Sequence, residues 1–125
     1  GQFESKDGVT HGYVNEKYSF LIASLNIELS ENGDLSSFHE WRIENQIPWN
    51  GFEVTPANHP LSAGLSQLVH PAKGCYIGQE VLARMISRGR QGKIFVRVEN
   101  GTVDEKYITT QGENLSLAIM RESIQ

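Results

Sequence analysis

Apolar and polar positions change their spacing several times along the chain, and each change predicts an element. Residues 1–17 read as loop and turn, with Asp7-Gly8 as a hairpin-type signal. Tyr18 to Leu29 is apolar-rich, and its partial alternation predicts a strand broken near Asn26. Glu31-Asn32-Gly33-Asp34 reads as a turn. A helix over 36–46 should follow, because Leu35, Phe38 and Trp41 (or Arg42) share a face with Asn45. Ser37 and Glu40 have the spacing of a capping box, with Asp34 and Ser36 as rival caps. Pro48 closes this helix by restricting Ile47 and removing a backbone donor.

Residues 47–61 contain Pro48, Gly51, Pro56 and Pro60 and read as an ordered loop. Leu61, Leu65, Leu68 and Val69 predict a short helix over 61–69, stopped by Pro71. Ile77, Val81, Leu82, Met85 and Ile86 recur at helical spacing, so a helix over 78–87 should turn that stripe inward and end before Gly89. From Gly92 the period shortens to two. Strands are expected at 93–99, 107–110 and 115–120, with Asn100-Gly101 as a hairpin signal. The change of pattern near Arg90 is the expected boundary between an α+β subdomain, 1–90, and a small antiparallel β element, 91–125.

Composition narrows the function classes. A chain of 125 residues is one domain or one domain with a small appendage, too short for a deep multi-domain active site. Apolar residues at 38% and charged residues at 21% give a globular balance rather than a disordered one. No apolar run reaches the roughly 18 residues of a membrane-spanning helix, and no secretory signal pattern is visible. The first residue is Gly1, which reads as a processed or engineered end. The net charge of −4 argues against a general nucleic-acid coat protein. Its distribution is uneven: Arg84, Arg88, Arg90, Lys93 and Arg97 fall between Val81 and Val98 with no acid among them. This stripe suits an anionic tail, a phosphate or RNA, and competes with a solvated helix face beside a charged strand edge. Sparse aromatic residues in the stripe argue against RNA.

The single cysteine, Cys75, excludes an internal disulfide and a self-contained four-thiolate metal site, and it fits a reducing compartment. His11, His39, His59 and His70 show no paired metal-ligand spacing. Gly74 and Gly78 flank Cys75, Lys73 precedes it by two residues, and the helix expected after it would aim its positive end nearby. Cation and dipole both favour thiolate over thiol, which makes Cys75 a candidate reactive sulfur. Glu80 in the first helical turn complements the same dipole. The competing reading is a small buried cysteine in a turn, with Gln79 and Glu80 merely starting a helix.

Lys73-Gly74-Cys75-Tyr76-Ile77-Gly78-Gln79-Glu80, continuing to Arg84, resembles the K-G-C-[FY]-x-G-Q-E-x-x-x-[KR] signature of the YgfZ family, folate-binding relatives of the glycine cleavage T-protein, an aminomethyltransferase. Two further blocks lie upstream in the right order. Trp41-Arg42-Ile43-Glu44-Asn45-Gln46-Ile47-Pro48 with Gly51 is similar to R-x-E-x-G-I-P-x-x-G. Thr55-Pro56 with Pro60-Leu61-Ser62-Ala63-Gly64-Leu65 is similar to T-P…P-L-E-A-G-L. The likeness covers Phe38 to Arg97, is weaker over Ile108 to Arg121 and is vague before Asp34. Asn45 and Gln46 stand where the family has a small residue and a glycine, and Ser62 stands where it has glutamate.

The resemblance implies the C-terminal portion of a T-protein/YgfZ-like α+β fold followed by a shortened, barrel-like antiparallel element. It implies an accessory protein that supports iron–sulfur cluster assembly or repair in a folate-dependent way. Cys75 is then the functional thiol, and Lys73, Gly74, Tyr76, Gly78, Gln79, Glu80 and Arg84 support the motif. Arg42 holds a folate carboxylate, for which a guanidinium fork is suited; an Arg–Glu surface pair on one helix is the plainer reading. Trp41, Trp49, Phe52 and Tyr76 are candidates for stacking a pterin ring, or core aromatics. Tetrahydrofolate or a related folate is the implied cofactor, and iron–sulfur client proteins are the implied partners. The compartment is the cytoplasm, or the mitochondrial matrix in a eukaryote. The large N-terminal part that carries the catalytic aspartate in T-proteins has no counterpart in this sequence, so the chain reads as a fragment or a truncated relative. That argues against an aminomethyltransferase, and leaves a non-catalytic scaffolding or homo-oligomeric module as the other alternative.

Overall fold

The structure, a computed structural model, describes residues 2–14, 16, 18–70, 72–89 and 92–122. Described residues form an α+β protein with two three-stranded antiparallel sheets. They belong to two compact units, Gly1–Gly33 and Asp34–Gln125. The change of pattern expected at 90/91 falls on Arg90 and Gln91, outside the described residues and inside the span of the second unit.

The first unit is more ordered than the loop expected for 1–17. Strands β1 (Gln2–Lys6) and β2 (Val9–Tyr13) pair antiparallel, and β3 (Ser19–Ala23) adds to β2. Asp7 and Gly8 both take positive φ, 51° and 79°, as the tight turn between right-twisted strands requires. The hairpin signal was thus stronger than the polar composition of the strands that it joins. β3 ends at Ala23, so the strand expected to Leu29 is much shorter. Phe20, Leu21 and Ile22 are about half exposed or more, which leaves both faces of this edge strand largely uncovered.

The second unit opens with helix α1 (Leu35–Asn45). Its cap is Asp34 rather than Ser37: the Asp34 carboxylate accepts from the Ser37 backbone N–H at 2.7 Å and from the Ser37 hydroxyl at 2.6 Å. Glu40 is freed from the expected capping box and instead accepts from the Glu113 N–H at 2.8 Å, tying α1 to the turn after residue 111. At the other end Gln46 is left-handed, with φ 53° and ψ 51°. Its N–H donates to the Ile43 carbonyl at 3.2 Å and that of Ile47 to Arg42 at 2.9 Å. These are the paired bonds of a Schellman stop, which Pro48 makes final.

No α-helix forms over 61–69. Gly64, at φ 76°, turns the chain after Pro60, and only a 3₁₀ turn, Ser66–Leu68, follows. Pro71, the expected stop, lies outside the described residues. Helix α2 (Gln79–Arg88) begins after left-handed Gly78 and ends at left-handed Gly89, close to expectation. Of its apolar stripe only Leu82 is buried, while Val81 and Ile86 are about half exposed, so the stripe is not turned wholly into a core.

Strands β4 (Lys93–Glu99), β5 (Ile108–Gln111) and β6 (Leu115–Arg121) pair in the order β4-β6-β5. The three form an open sheet, and no barrel closes among the described residues. Asn100-Gly101 makes a turn but joins no hairpin, because β6 lies between β4 and β5. Asn100 instead clasps the β5–β6 turn: its side-chain amide donates to the Gly112 and Glu113 carbonyls and accepts from the Ser116 hydroxyl. Central position explains why Leu117 and Ala118 of β6 are fully buried. Ile43 of α1 joins them in the core, and its Cδ1 reaches so close to Gly112 that a Cβ there would lie 2.7 Å away.

Candidate functional site

Block by block, the motif residues fall into a buried node and an open groove. The node is Arg42. Its side chain is wholly buried, and Nη1 lies 3.0 Å from Oε2 of Glu53, which is equally buried. Burial of two charges is costly unless every donor and acceptor is met, and here they are. Arg42 also donates to the Ile47 carbonyl and the Thr110 hydroxyl at 3.0 Å each, and its guanidinium meets His39 Nδ1 at 2.8 Å. Glu53 accepts from the Thr109 and Thr110 hydroxyls at 2.7 and 2.6 Å and from the Trp49 N–H at 2.9 Å. The carboxylate that Arg42 holds is therefore internal.

This corrects both earlier readings of Arg42. No open face of the guanidinium is left for a folate carboxylate, and the pair is neither on the surface nor within one helix. Sequence reasoning missed Glu53 and Thr110, and it singled out His39 only as a histidine without metal-ligand spacing. The available signal was weak: an acid between Phe52 and Val54 in a turn-rich loop, opposite an arginine on the apolar face of α1. The expected pterin-stacking aromatics are also divided. Trp41 and Trp49 gather on Phe38 at 5.9 and 4.9 Å, and the Arg42 guanidinium lies 5.2 Å from the Phe52 ring centre. Tyr76 stands apart, with the Lys73 ammonium 4.7 Å from its ring centre.

The groove lies where the Pro60–Leu65 block meets the Lys73–Arg84 block. It is a cavity of about 540 Å³ between the chain from His59 to Val69 and the loop that leads into α2. Leu65, Leu68 and Val69 line one wall, and Ile77, Val81 and Leu82 the other. His59 is engaged with Ser62, whose N–H donates to Nδ1 at 3.2 Å and whose hydroxyl lies 2.7 Å from Nε2. Ser62 is fully buried where the resemblance gives glutamate, so a short hydroxyl serves a site of little room.

Cys75 is exposed, which removes the reading of a small buried core cysteine. Gly78, three residues on, supplies the left-handed step into α2, and the Gln79 N–H donates to the Tyr76 carbonyl at 3.2 Å. Glu80 occupies the first turn of the helix, as expected. Lys73 was expected to act on the sulfur; its ammonium is seated on Tyr76. Arg84 and Arg88 are exposed on α2, whereas Lys93 donates to Asn58 at 3.3 Å and Arg97 to the Glu44 carbonyl at the end of α1. The cationic stripe is thus partly spent on internal ties, and Arg90 lies outside the described residues. No cluster of three His, Cys, Asp or Glu side chains suited to a metal occurs among the described residues. None of their helices is long and apolar enough to cross a membrane.

Comparison with known proteins returns no matching family model, no matching curated protein and no matching solved structure.

Proposed function

We propose that the chain is a YgfZ-like accessory module with a T-protein-related fold, serving iron–sulfur enzymes through the thiol of Cys75. The observation that carries this reading is the exposure of Cys75 in a glycine-flanked loop whose Lys73 and Tyr76 line the groove. An accessible thiolate can ligate one iron position or exchange a ligand there, but a single sulfur cannot hold a cluster. The remaining ligands come from the client protein, so the thiol acts in trans on a cluster that belongs to its partner.

A second feature supports the family reading. Gln46 adopts the left-handed backbone that glycine takes without strain, at the position where the family motif has glycine. A fold that demands this conformation makes sense of both the motif glycine and the bonds that hold its replacement, including Gln46 Nε2 to the Phe95 carbonyl at 3.1 Å. Tetrahydrofolate enters the proposal through the resemblance alone. Arg42 does not fit the contact assigned to it, so no step is built on the folate. Tryptophan fluorescence during titration with tetrahydrofolate tests that part separately.

The deciding experiment replaces Cys75 by serine in cells that depend on the protein. Activities of iron–sulfur enzymes should fall as they do when the protein is lost, while the variant keeps the wild-type circular dichroism. Unchanged enzyme activities with the serine variant present would refute the role of the thiol.

A non-catalytic docking module is the second reading. It is favoured by the half-exposed apolar residues Phe20, Leu21, Ile22, Val81 and Ile86. Concentration-dependent sedimentation supports it if the chain associates, and a monomer at all concentrations counts against self-association.

A further inference from the structure

The geometry points to the groove between His59–Val69 and α2 as a binding site for a small organic acid with an apolar body, a carboxylate on an aryl or alkyl frame. This goes beyond the role of Cys75, which does not line the groove. The cavity of about 540 Å³ falls within the range of roughly 300–1,000 Å³ typical of small-molecule sites. Its walls are aliphatic over Leu65, Leu68, Val69, Ile77, Val81 and Leu82. Such walls reward an apolar ligand body for leaving water.

Charge sets the other half of the ligand. Among the described residues Lys73 is the one lysine or arginine lining the cavity, and no described carboxylate lines it. Its ammonium rests on the Tyr76 ring and makes no ion pair with a described carboxylate. A cation held in place by an aromatic face, yet without an anion, is ready to meet one. Glu80, in the first turn of α2, is not part of the lining, so it does not neutralise the cation within the cavity. Aliphatic walls with one cation among the described lining residues select an amphipathic anion over a neutral molecule of the same shape. His59 adds a polar edge but is already engaged by Ser62.

The test uses the whole chain and a pair of matched probes, 2-naphthoate and 2-naphthamide, which share an apolar body and differ in charge. Backbone amide shifts should move along 59–69 and 73–82 for both. Naphthoate should bind about three- to tenfold more tightly, the increment of one partly exposed charge-assisted contact. Lys73→Met should abolish that preference, so that naphthoate binds no more tightly than naphthamide. Val81→Thr, at an exposed wall position, should weaken both probes together. Equal affinities in the unaltered protein, a preference that survives Lys73→Met, or shifts located away from the groove would each overturn the assignment. So would a groove that binds neither probe but takes up a glutamate-rich amphipathic peptide, which would make it a protein-docking surface.

Discussion

Arg42 and Glu53, eleven residues apart in the chain, neutralise each other at 3.0 Å with neither side chain exposed to water. The pair links α1 to the 49–54 turn, and through Thr109 and Thr110 to β5. Removing one partner leaves the other charged, buried and unmatched. Arg42→Met and Glu53→Gln should each cost about 3–5 kcal/mol of unfolding free energy. The double variant Arg42→Met/Glu53→Gln should cost clearly less than the sum of the single changes, because no charge is left stranded. Urea unfolding of the four proteins measures the coupling, and additive losses would contradict the relationship.

Gln46 provides a change in the opposite direction. A non-glycine residue in left-handed backbone costs on the order of 1 kcal/mol, and glycine removes that strain. The side-chain bond to Phe95 is lost in exchange, but it lies on an exposed residue. Gln46→Gly should therefore raise the urea midpoint, with a gain of at most about 1 kcal/mol. A lowered midpoint would mean that the bond to Phe95 outweighs the backbone strain.

Gly64 shows the same backbone demand with no room to relax. At φ 76° it is strained for any L side chain, and a Cβ there would lie 2.6 Å from Cδ1 of the Phe95 ring. Gly64→Ala should destabilise the second unit by roughly 1–3 kcal/mol. The loss should exceed that from Gly51→Ala, where φ is also positive but a Cβ meets nothing within 4 Å.

These positions show how far the sequence could be read. The spans of α1 and α2 were legible within a residue or two because periodic apolar positions lay before strong stops, Pro48 and Gly89, whereas the helix expected over 61–69 gave way to a 3₁₀ turn after left-handed Gly64. The cap of α1 was ambiguous because Asp34, Ser36 and Ser37 offer equivalent local chemistry, and only geometry selects Asp34. Strands β1 and β2 were hidden by polar side chains, since β1 is exposed along its whole length and carries no alternating pattern. The β4-β6-β5 order was hidden for another reason. Asn100-Gly101 predicts a local turn, but whether its flanking strands pair depends on a third strand far along the chain. At the candidate site, the Cys75 loop stood out through its glycines and cation. Glu53 did not, because its meaning depends on a partner that sequence distance conceals.

Exposure of Cys75 has a direct chemical consequence. A maleimide should label the folded chain to one equivalent without denaturant, and guanidinium should add no further label. The Cys75→Ser variant should take up none. Labelling that requires denaturant would show the sulfur to be shielded in solution and would weaken the proposed role of the thiol.

The cap of α1 sets a pH dependence whose sign follows from Asp34. Its carboxyl is held below the ordinary value of 3.8, first by the Ser37 hydroxyl and then by the Ser37 backbone N–H, both of which bond the charged form. A depressed value in the folded state means that the unfolded chain takes up the proton first. The cap's contribution is therefore complete above the ordinary carboxyl range and is lost as pH falls through the lowered folded value. Asp34→Asn keeps an acceptor for the Ser37 N–H but has no charge to lose. At neutral pH it should be less stable than the unaltered protein, and the difference should shrink steadily as pH is taken below 3.8. Unfolding followed by circular dichroism at a series of pH values measures this difference. A gap that persists unchanged into acid would show that the charge on Asp34 does not contribute, leaving the cap to the hydrogen bonds alone.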